Sequence, residues 1–372
     1  MNNHLSKLFV AVLAVIFCGT GAVFAQAPTC NQALTPGCLY FPSTQFTFQP
    51  PTTRQVTYTD RAGLQRTVQV AIRIPTGASI PMPVVIWSHG GATGKTDPLT
   101  SMVEWSETTV EAGYLTISIA HTPRTDQERL QLCQSININD PATCEVFKHL
   151  NWDRPFDIRA VIHELVQLNQ QGEFRGQINV NQIAVGGHSA GAGGTLSVAG
   201  ALRNFSGTPE SFADPRPVAF LAFSPQQPGT EGFFDTDFKQ PTHSWQPIAD
   251  RPTLIGTGDG DNGCNPIAEP GNCQGETPYG RRSNFDRMLP GNKYRIYVHD
   301  ADTFHTLFQL ETSKCAQLGV NQTKCDDIAR LLRSAGLAFL DGHVRQNAFA
   351  QLWLRSNNIE TASQGVAEWS RK

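Results

Sequence analysis

Short continuous apolar runs, each closed by a small or polar residue, recur along the chain: Val84 to Trp87, Tyr114 to Ala120, Gln182 to Gly186, Val218 to Phe223, Thr253 to Gly256 and Tyr294 to His299. Runs of this length without alternation suit strands buried on both faces, as in a parallel sheet. Ahead of them, Gln55 to Thr59 and Arg66 to Ile74 alternate apolar and polar residues on either side of the Asp60 to Gly63 turn. That pattern predicts an antiparallel hairpin. Between the apolar runs lie segments of helical period. Asp157 to Leu168 carries Ile158, Val161, Ile162, Leu165 and Leu168 on one face, and a last helix is predicted over Asp326 to Leu354, interrupted near Asp341-Gly342. Strands alternating with helices predict an α/β domain: a mostly parallel central sheet with helices on both faces and an N-terminal antiparallel hairpin.

The chain begins differently. Lys7 precedes the apolar run Leu8 to Cys18, and Val23-Phe24-Ala25 offers a small-residue cleavage site, so residues 1–25 read as a secretory signal peptide removed after Ala25. The run is shorter than the roughly 20 residues of a membrane-spanning helix, and no stable membrane insertion is expected. Residues 26–54 form a Pro- and Thr-containing lead-in, and residues 55–372 a single catalytic domain. Eight of the nine cysteines lie beyond residue 25 and fall into near-neighbour pairs: Cys30 with Cys38, Cys133 with Cys144, Cys264 with Cys273, Cys315 with Cys325. In a secreted or periplasmic protein these predict local disulfides, and none has the two-residue spacing of a zinc knuckle. A net charge of −3 without a basic cluster argues against nucleic acid as a ligand.

The chemistry concentrates where Ile183-Ala184-Val185 leads into Gly187-His188-Ser189-Ala190-Gly191. A G-x-S-x-G sequence between a strand and a helix is a nucleophile elbow, in which a tight turn presents the serine hydroxyl above a helix N-terminus. Upstream, Val84-Val85-Ile86-Trp87 runs into Ser88-His89-Gly90-Gly91. This strand-then-HG pattern makes the backbone N–H groups of Gly91 and Ala190 the candidate oxyanion donors. Downstream, Thr253-Leu254-Ile255 leads into Gly256-Thr257-Gly258-Asp259-Gly260-Asp261, and Tyr294 to Val298 into His299 and His305. The order Ser, acid, His offers candidates on both strands; Asp261, three residues past Gly258, and His305, on the loop expected to reach over Ser189, are chosen to complete the triad, with Asp259 and His299 as the runners-up. His89 and His188 are read as structural, and a weak calcium-binding reading attaches to the acidic loop.

Three of these segments, Pro83 to Gly91, Arg154-Pro155-Phe156-Asp157-Ile158-Arg159-Ala160-Val161 and Gly187 to Gly191, resemble the bacterial α/β-hydrolases grouped with plasma-type platelet-activating-factor acetylhydrolases and predicted dienelactone hydrolases. Ser224-Pro225-Gln226-Gln227-Pro228-Gly229, the Ser244-Trp245 to Thr257-Gly258 stretch and Ala338-Phe339-Leu340-Asp341 look like later segments of the same group, so the resemblance spans Val56 to Leu354. It implies the α/β-hydrolase fold and a Ser189-Asp261-His305 esterase using no metal or organic cofactor. Ala190, the two-aspartate acid loop and the cysteine-bordered inserts depart from the pattern. A serine nucleophile also disfavours true dienelactone hydrolysis, which resembles cysteine chemistry.

The expected substrate is a small-molecule, lipid or polymeric carboxylic ester. A serine peptidase, a lipase or polyester hydrolase on the same triad, and a catalytically silent binding protein are the alternatives. Two inserts are expected to shape specificity: Pro123 to Pro155, and Gln226 to Asp250, whose Phe233, Phe234 and Trp245 are candidates for an apolar cleft, although such aromatic residues more often pack in the core. Oligomeric state is not legible.

Overall fold

The computed structural model describes residues 27–30, 33–91, 94–147, 149–204, 209–227, 243–248, 250–262 and 276–372. Residues 1–25 and the Cys264–Cys273 pair lie outside them, as do Phe233 and Phe234.

A nine-stranded sheet forms the centre. Its strands are β1 (Thr52–Thr59), β2 (Gln65–Arg73), β3 (Met82–Ser88), β4 (Leu115–Ala120), β5 (Ile178–His188), β8 (Pro217–Phe223), β9 (Thr253–Gly258), β10 (Lys293–Val298) and β11 (Ala367–Arg371); β6 (Arg203–Asn204) and β7 (Pro209–Glu210) pair separately as a short hairpin. The spatial order is β1-β2-β4-β3-β5-β8-β9-β10-β11. β4, β3, β5, β8, β9 and β10 run parallel, while β1, β2 and β11 pair antiparallel at the two edges. The apolar runs fall on the parallel strands, as their lack of alternation predicts. β11 has no such signature: Ala367–Arg371 alternates buried and half-exposed residues as an edge strand does.

Helices cover both faces. On one side lie α4 (His149–Gln171), α5 (Ala190–Ala199) and α6 (Pro278–Arg287); on the other α1 (Val103–Glu111), α7 (Gln322–His343), α8 (Ala348–Leu354) and α9 (Asn358–Ala362). Successive residues of β3 serve opposite faces: Val84 and Ile86 pack toward α4 and α5, Val85 and Trp87 toward α1 and α7. All four are fully buried, and each contributes about 1.5–3 kcal/mol relative to an exposed side chain. Trp87 stacks on Trp105 at 5.1 Å, and Trp105 on Phe223 at 4.4 Å.

One expectation is corrected. The insert expected to end at Pro155 ends earlier, because α4 starts at His149 and holds Pro155 inside it; the insert itself folds into α2 (Asp126–Ser135) and α3 (Pro141–Val146). The last helix breaks near Asp341-Gly342 as expected, after His343, and the Asn347 side chain caps a new helix beyond it. Trp245 takes the core-packing alternative: it is fully buried in the hydrophobic core.

Disulfides join Cys30 to Cys38, Cys133 to Cys144 and Cys315 to Cys325, which points to an oxidising compartment. Among the described residues no helix is long and apolar enough to cross a membrane.

The lead-in is bound to the domain. Trp353 Nε1 donates to the Cys38 carbonyl (2.9 Å), and the Tyr40 N–H donates to Ser334 Oγ (2.9 Å). Buried Asp341 accepts from Tyr40 (2.6 Å), Tyr114 (2.7 Å) and Arg345 (2.8 Å). Asp341→Ala leaves these donors unpaired and is expected to cost about 3–5 kcal/mol, whereas Tyr40→Phe removes one donor and costs about 1–2 kcal/mol. Urea unfolding checks this, and equal midpoints for the two variants would contradict the clamp.

Candidate active site

The C-terminal ends of β3, β5, β8, β9 and β10 meet along one edge of the sheet, where open α/β sheets present their ligand sites. Ser189 stands between β5 and α5 with φ 53° and ψ −122°, a left-handed conformation that costs a non-glycine residue about 1–3 kcal/mol. Its N–H is held by the Phe223 carbonyl of β8 at 3.0 Å. Gly191 is required by the packing, since a Cβ there would collide with the Ser88 carbonyl oxygen at the end of β3. The Ser189 hydroxyl is partly exposed and makes no hydrogen bond to a described residue.

The Ser88–Gly91 loop lies directly against this turn. A Cβ on Gly90 would sit 2.8 Å from Ser189 Cβ and 3.0 Å from His188 Nδ1. Gly91 has φ +88°. Neither its N–H nor that of Ala190, the first residue of α5, bonds a described residue, which leaves both donors free for a ligand oxygen.

Asp261 and His305 are brought together. Asp261, fully buried, accepts from His305 Nδ1 at 2.9 Å through Oδ1 and from Thr257 Oγ1 at 2.8 Å through Oδ2. An ionised carboxylate only accepts, so His305 carries its proton on Nδ1 and turns Nε2 away from the acid. The His305 side chain keeps 17% of its exposure. Its backbone carbonyl accepts from His188 Nε2 at 2.9 Å, and the two rings lie 4.4 Å apart. Burial and the neighbouring His305 push His188 well below the usual histidine range. His188 is thus a neutral, packed ring adjoining both Ser189 and His305.

The alternative residues face elsewhere. Asp259 is half exposed and accepts from Tyr297 at 2.6 Å, and His299 lies 3.7 Å from Asp259 and 3.4 Å from Glu368 at the outer edge of the sheet. Neither contacts His305 in any described hydrogen bond or ion pair.

Two further residues complete the acid side, and the sequence assigns neither of them a role. Ser224, which follows β8, has φ 49° and places Oγ 2.7 Å from Asp261 Oδ1 and 2.6 Å from His305 Nδ1. A hydroxyl has one proton, so Ser224 donates to Asp261 while its lone pair shares the Nδ1–H of His305. Arg281 of α6, also fully buried, lies 3.4 Å from Asp261 and donates to the carbonyls of Ser224 (2.6 Å) and Pro225 (3.0 Å). Burial opposes the Asp261 charge, but Arg281, the His305 bond and the Ser224 bond outweigh it and hold the carboxyl well below the usual carboxylate range. Asp261 therefore stays ionised throughout the neutral range. Local pattern gave no signal for Arg281, because α6 reads as a polar surface helix.

No family model and no curated protein matches the chain. What the fold and site define is a mixed α/β protein whose sheet edge carries a serine on a strained strand-to-helix turn and a pair formed by a buried aspartate and a partly exposed histidine.

Ser224→Ala removes one hydroxyl donor from the buried Asp261 carboxylate and is expected to cost about 1.5–3 kcal/mol in urea unfolding. An unchanged midpoint would refute that bond.

Proposed function

We propose that the chain is an exported serine esterase of the α/β-hydrolase fold, cleaving carboxylic esters through an acyl-enzyme on Ser189. The observation that carries this reading is the His305 imidazole, fixed as its Nδ1–H tautomer by an ionised Asp261 and anchored through His188 to the turn that strains Ser189. The strand order with antiparallel edges supports the fold assignment, and the three disulfides support export.

In the proposed mechanism Ser189 Oγ attacks the ester carbonyl as His305 Nε2 takes its proton. Asp261 stabilises the imidazolium so formed without itself becoming protonated. The carbonyl oxygen gathers negative charge, which the Gly91 and Ala190 N–H groups receive at the N-terminus of α5, each such donor being worth about 3–4 kcal/mol. Collapse breaks the bond to the alcohol, which leaves with the proton from His305. Water then attacks the acyl-enzyme by the same steps, with His305 as base, and releases the acid and free Ser189.

Ser189→Ala is expected to fold normally and to lower turnover of a short p-nitrophenyl ester by at least about 10⁴-fold, with loss of fluorophosphonate labelling. Undiminished hydrolysis in that variant excludes the mechanism, and a wild-type protein that neither labels nor hydrolyses is a silent binding domain. A panel from acetyl to long-chain esters, with a peptide, a phospholipid and a polyester, sorts the substrate class.

A further inference from the structure

Behind the Ser88–Gly91 loop lies a second buried polar network that the chemistry at Ser189 does not use. Asp157 of α4 is fully buried, and each oxygen is matched by two donors. Oδ1 accepts from Arg66 Nε (2.7 Å) and Tyr58 (2.7 Å), and Oδ2 from Arg66 Nη2 (2.8 Å) and His121 Nδ1 (2.8 Å). His121, just past β4, therefore holds its proton on Nδ1, and its Nε2 accepts from Ser88 Oγ at 2.7 Å. The His121 backbone N–H donates to His89 Nε2 at 3.2 Å. That leaves the His89 proton on Nδ1, where it donates to the Gly90 carbonyl at 2.5 Å. The Gly90 carbonyl and the Gly91 N–H belong to one planar peptide, so a bond that fixes one aims the other. The next peptide is fixed as well: Arg154 of α4, one turn before Asp157 and packed against α5 at Gly194, donates through Nη2 to the Gly91 carbonyl.

We propose that Arg154, acting directly on the Gly91 carbonyl, and Asp157, acting through His121 and His89, are positioning residues that set the Gly91 N–H as an oxyanion donor. The role of that donor rests on the esterase reading above; the positioning itself does not. The helix that carries both residues also packs on the helix opened by Ala190, so one element registers the two donors against each other. Burial pushes His89 well below the usual histidine range and His121 to about 4, so both rings stay neutral and keep the single tautomer that the chain of bonds requires.

The experiment compares full-length wild type with His89→Ala, His89→Asn and Arg154→Met. The Asn amide nitrogen takes the place of Nδ1 and restores the donor to Gly90, which makes it the rescue. With a short p-nitrophenyl ester, kcat is expected to fall about 10–100-fold in His89→Ala and Arg154→Met with KM within about two-fold, and affinity for a trifluoromethyl ketone that forms the tetrahedral adduct falls in step. His89→Asn recovers most of both. Long-range ¹⁵N–¹H NMR is expected to find His89 and His121 as Nδ1–H tautomers, and ¹⁵N relaxation to find Gly91 losing order in His89→Ala but not in His89→Asn. An Nε2–H tautomer at His89, or unchanged Gly91 order in His89→Ala, overturns the proposal. So does loss of thermal stability with kcat and ketone affinity unchanged. A wild-type protein inactive on every ester removes the esterase reading, while the tautomer and relaxation results still decide the positioning. If Arg154→Met does not fold, the His89 pair decides.

Discussion

A carboxylate sealed from water needs a donor for nearly every lone pair, because stripping its hydration costs several kcal/mol that only such partners offset. The C-terminal edge of this sheet is arranged around two of them, Asp261 and Asp157, both fully buried. Each is neutralised by a buried arginine, bonded by a hydroxyl, and pinned to an imidazole through Nδ1. The same types of group thus recur twice, as Ser189, His305 and Asp261 and as Ser88, His121 and Asp157. Burial separates their roles. Ser88, His121 and Asp157 are wholly enclosed, so the hydroxyl is consumed as a donor to His121 and no ester can reach it. His305 keeps an exposed edge and Ser189 is partly exposed, its hydroxyl unbonded among the described residues, which is the condition for chemistry on an external substrate.

The second constraint is backbone strain, and it too is paired. Ser189 and Ser224 follow adjacent parallel strands, and both adopt positive φ without being glycine. Each is held by a bond to the next strand over, from Ser189 N–H to the Phe223 carbonyl (3.0 Å) and from Ser224 N–H to the Gly256 carbonyl (2.6 Å). The ladder between strands therefore continues one residue past each strand end. Strained turns persist where surrounding bonds over-determine them, and here the over-determination hands register from β5 to β8 to β9. The result is that a hydroxyl at the first turn, a hydroxyl at the second and a carboxylate past the third line up along one rim.

This division explains what the sequence makes legible. The parallel strands announce themselves because both faces are covered, so Val84 to Trp87 or Val218 to Phe223 can be uniformly apolar. Gly187 to Gly191 is legible because tight turns restrict residue type locally. Asp261, His305 and their alternatives can be narrowed by strand-end position, but the choice between Asp261 and Asp259 depends on which carboxylate turns inward after Gly258, a matter of loop geometry. Arg281 and His121 carry no local mark, and the segments that hold Arg154 and Ser224 give no sign of what either side chain bonds. Their partners lie tens of residues away, and a buried arginine on a helix reads as an exposed one until the sheet edge closes over it. β11 escapes notice for a related reason: an edge strand buries one face and needs only Ala367 and Trp369 as its apolar residues.

The histidine side is anchored differently from the serine side. Ser189 and Gly91 rest on strand ends and on α4 and α5, whereas His305 stands on a connection between β10 and α7 that must be tied down piece by piece. Gly260 N–H bonds Thr303 Oγ1 (2.8 Å) ahead of it, His188 holds its carbonyl (2.9 Å), and Trp105 Nε1 holds the Phe308 carbonyl (3.1 Å) behind it. The Cys315–Cys325 disulfide then closes the approach to α7. Because Trp105 also stacks between Trp87 and Phe223, the loop that carries the imidazole is tied to the same core layer that supports β3 and β8. Loop placement of a functional side chain usually sacrifices precision; here a tryptophan shared with the core recovers it, and the 2.9 Å bond from Nδ1 to Asp261 fixes the ring of His305 itself.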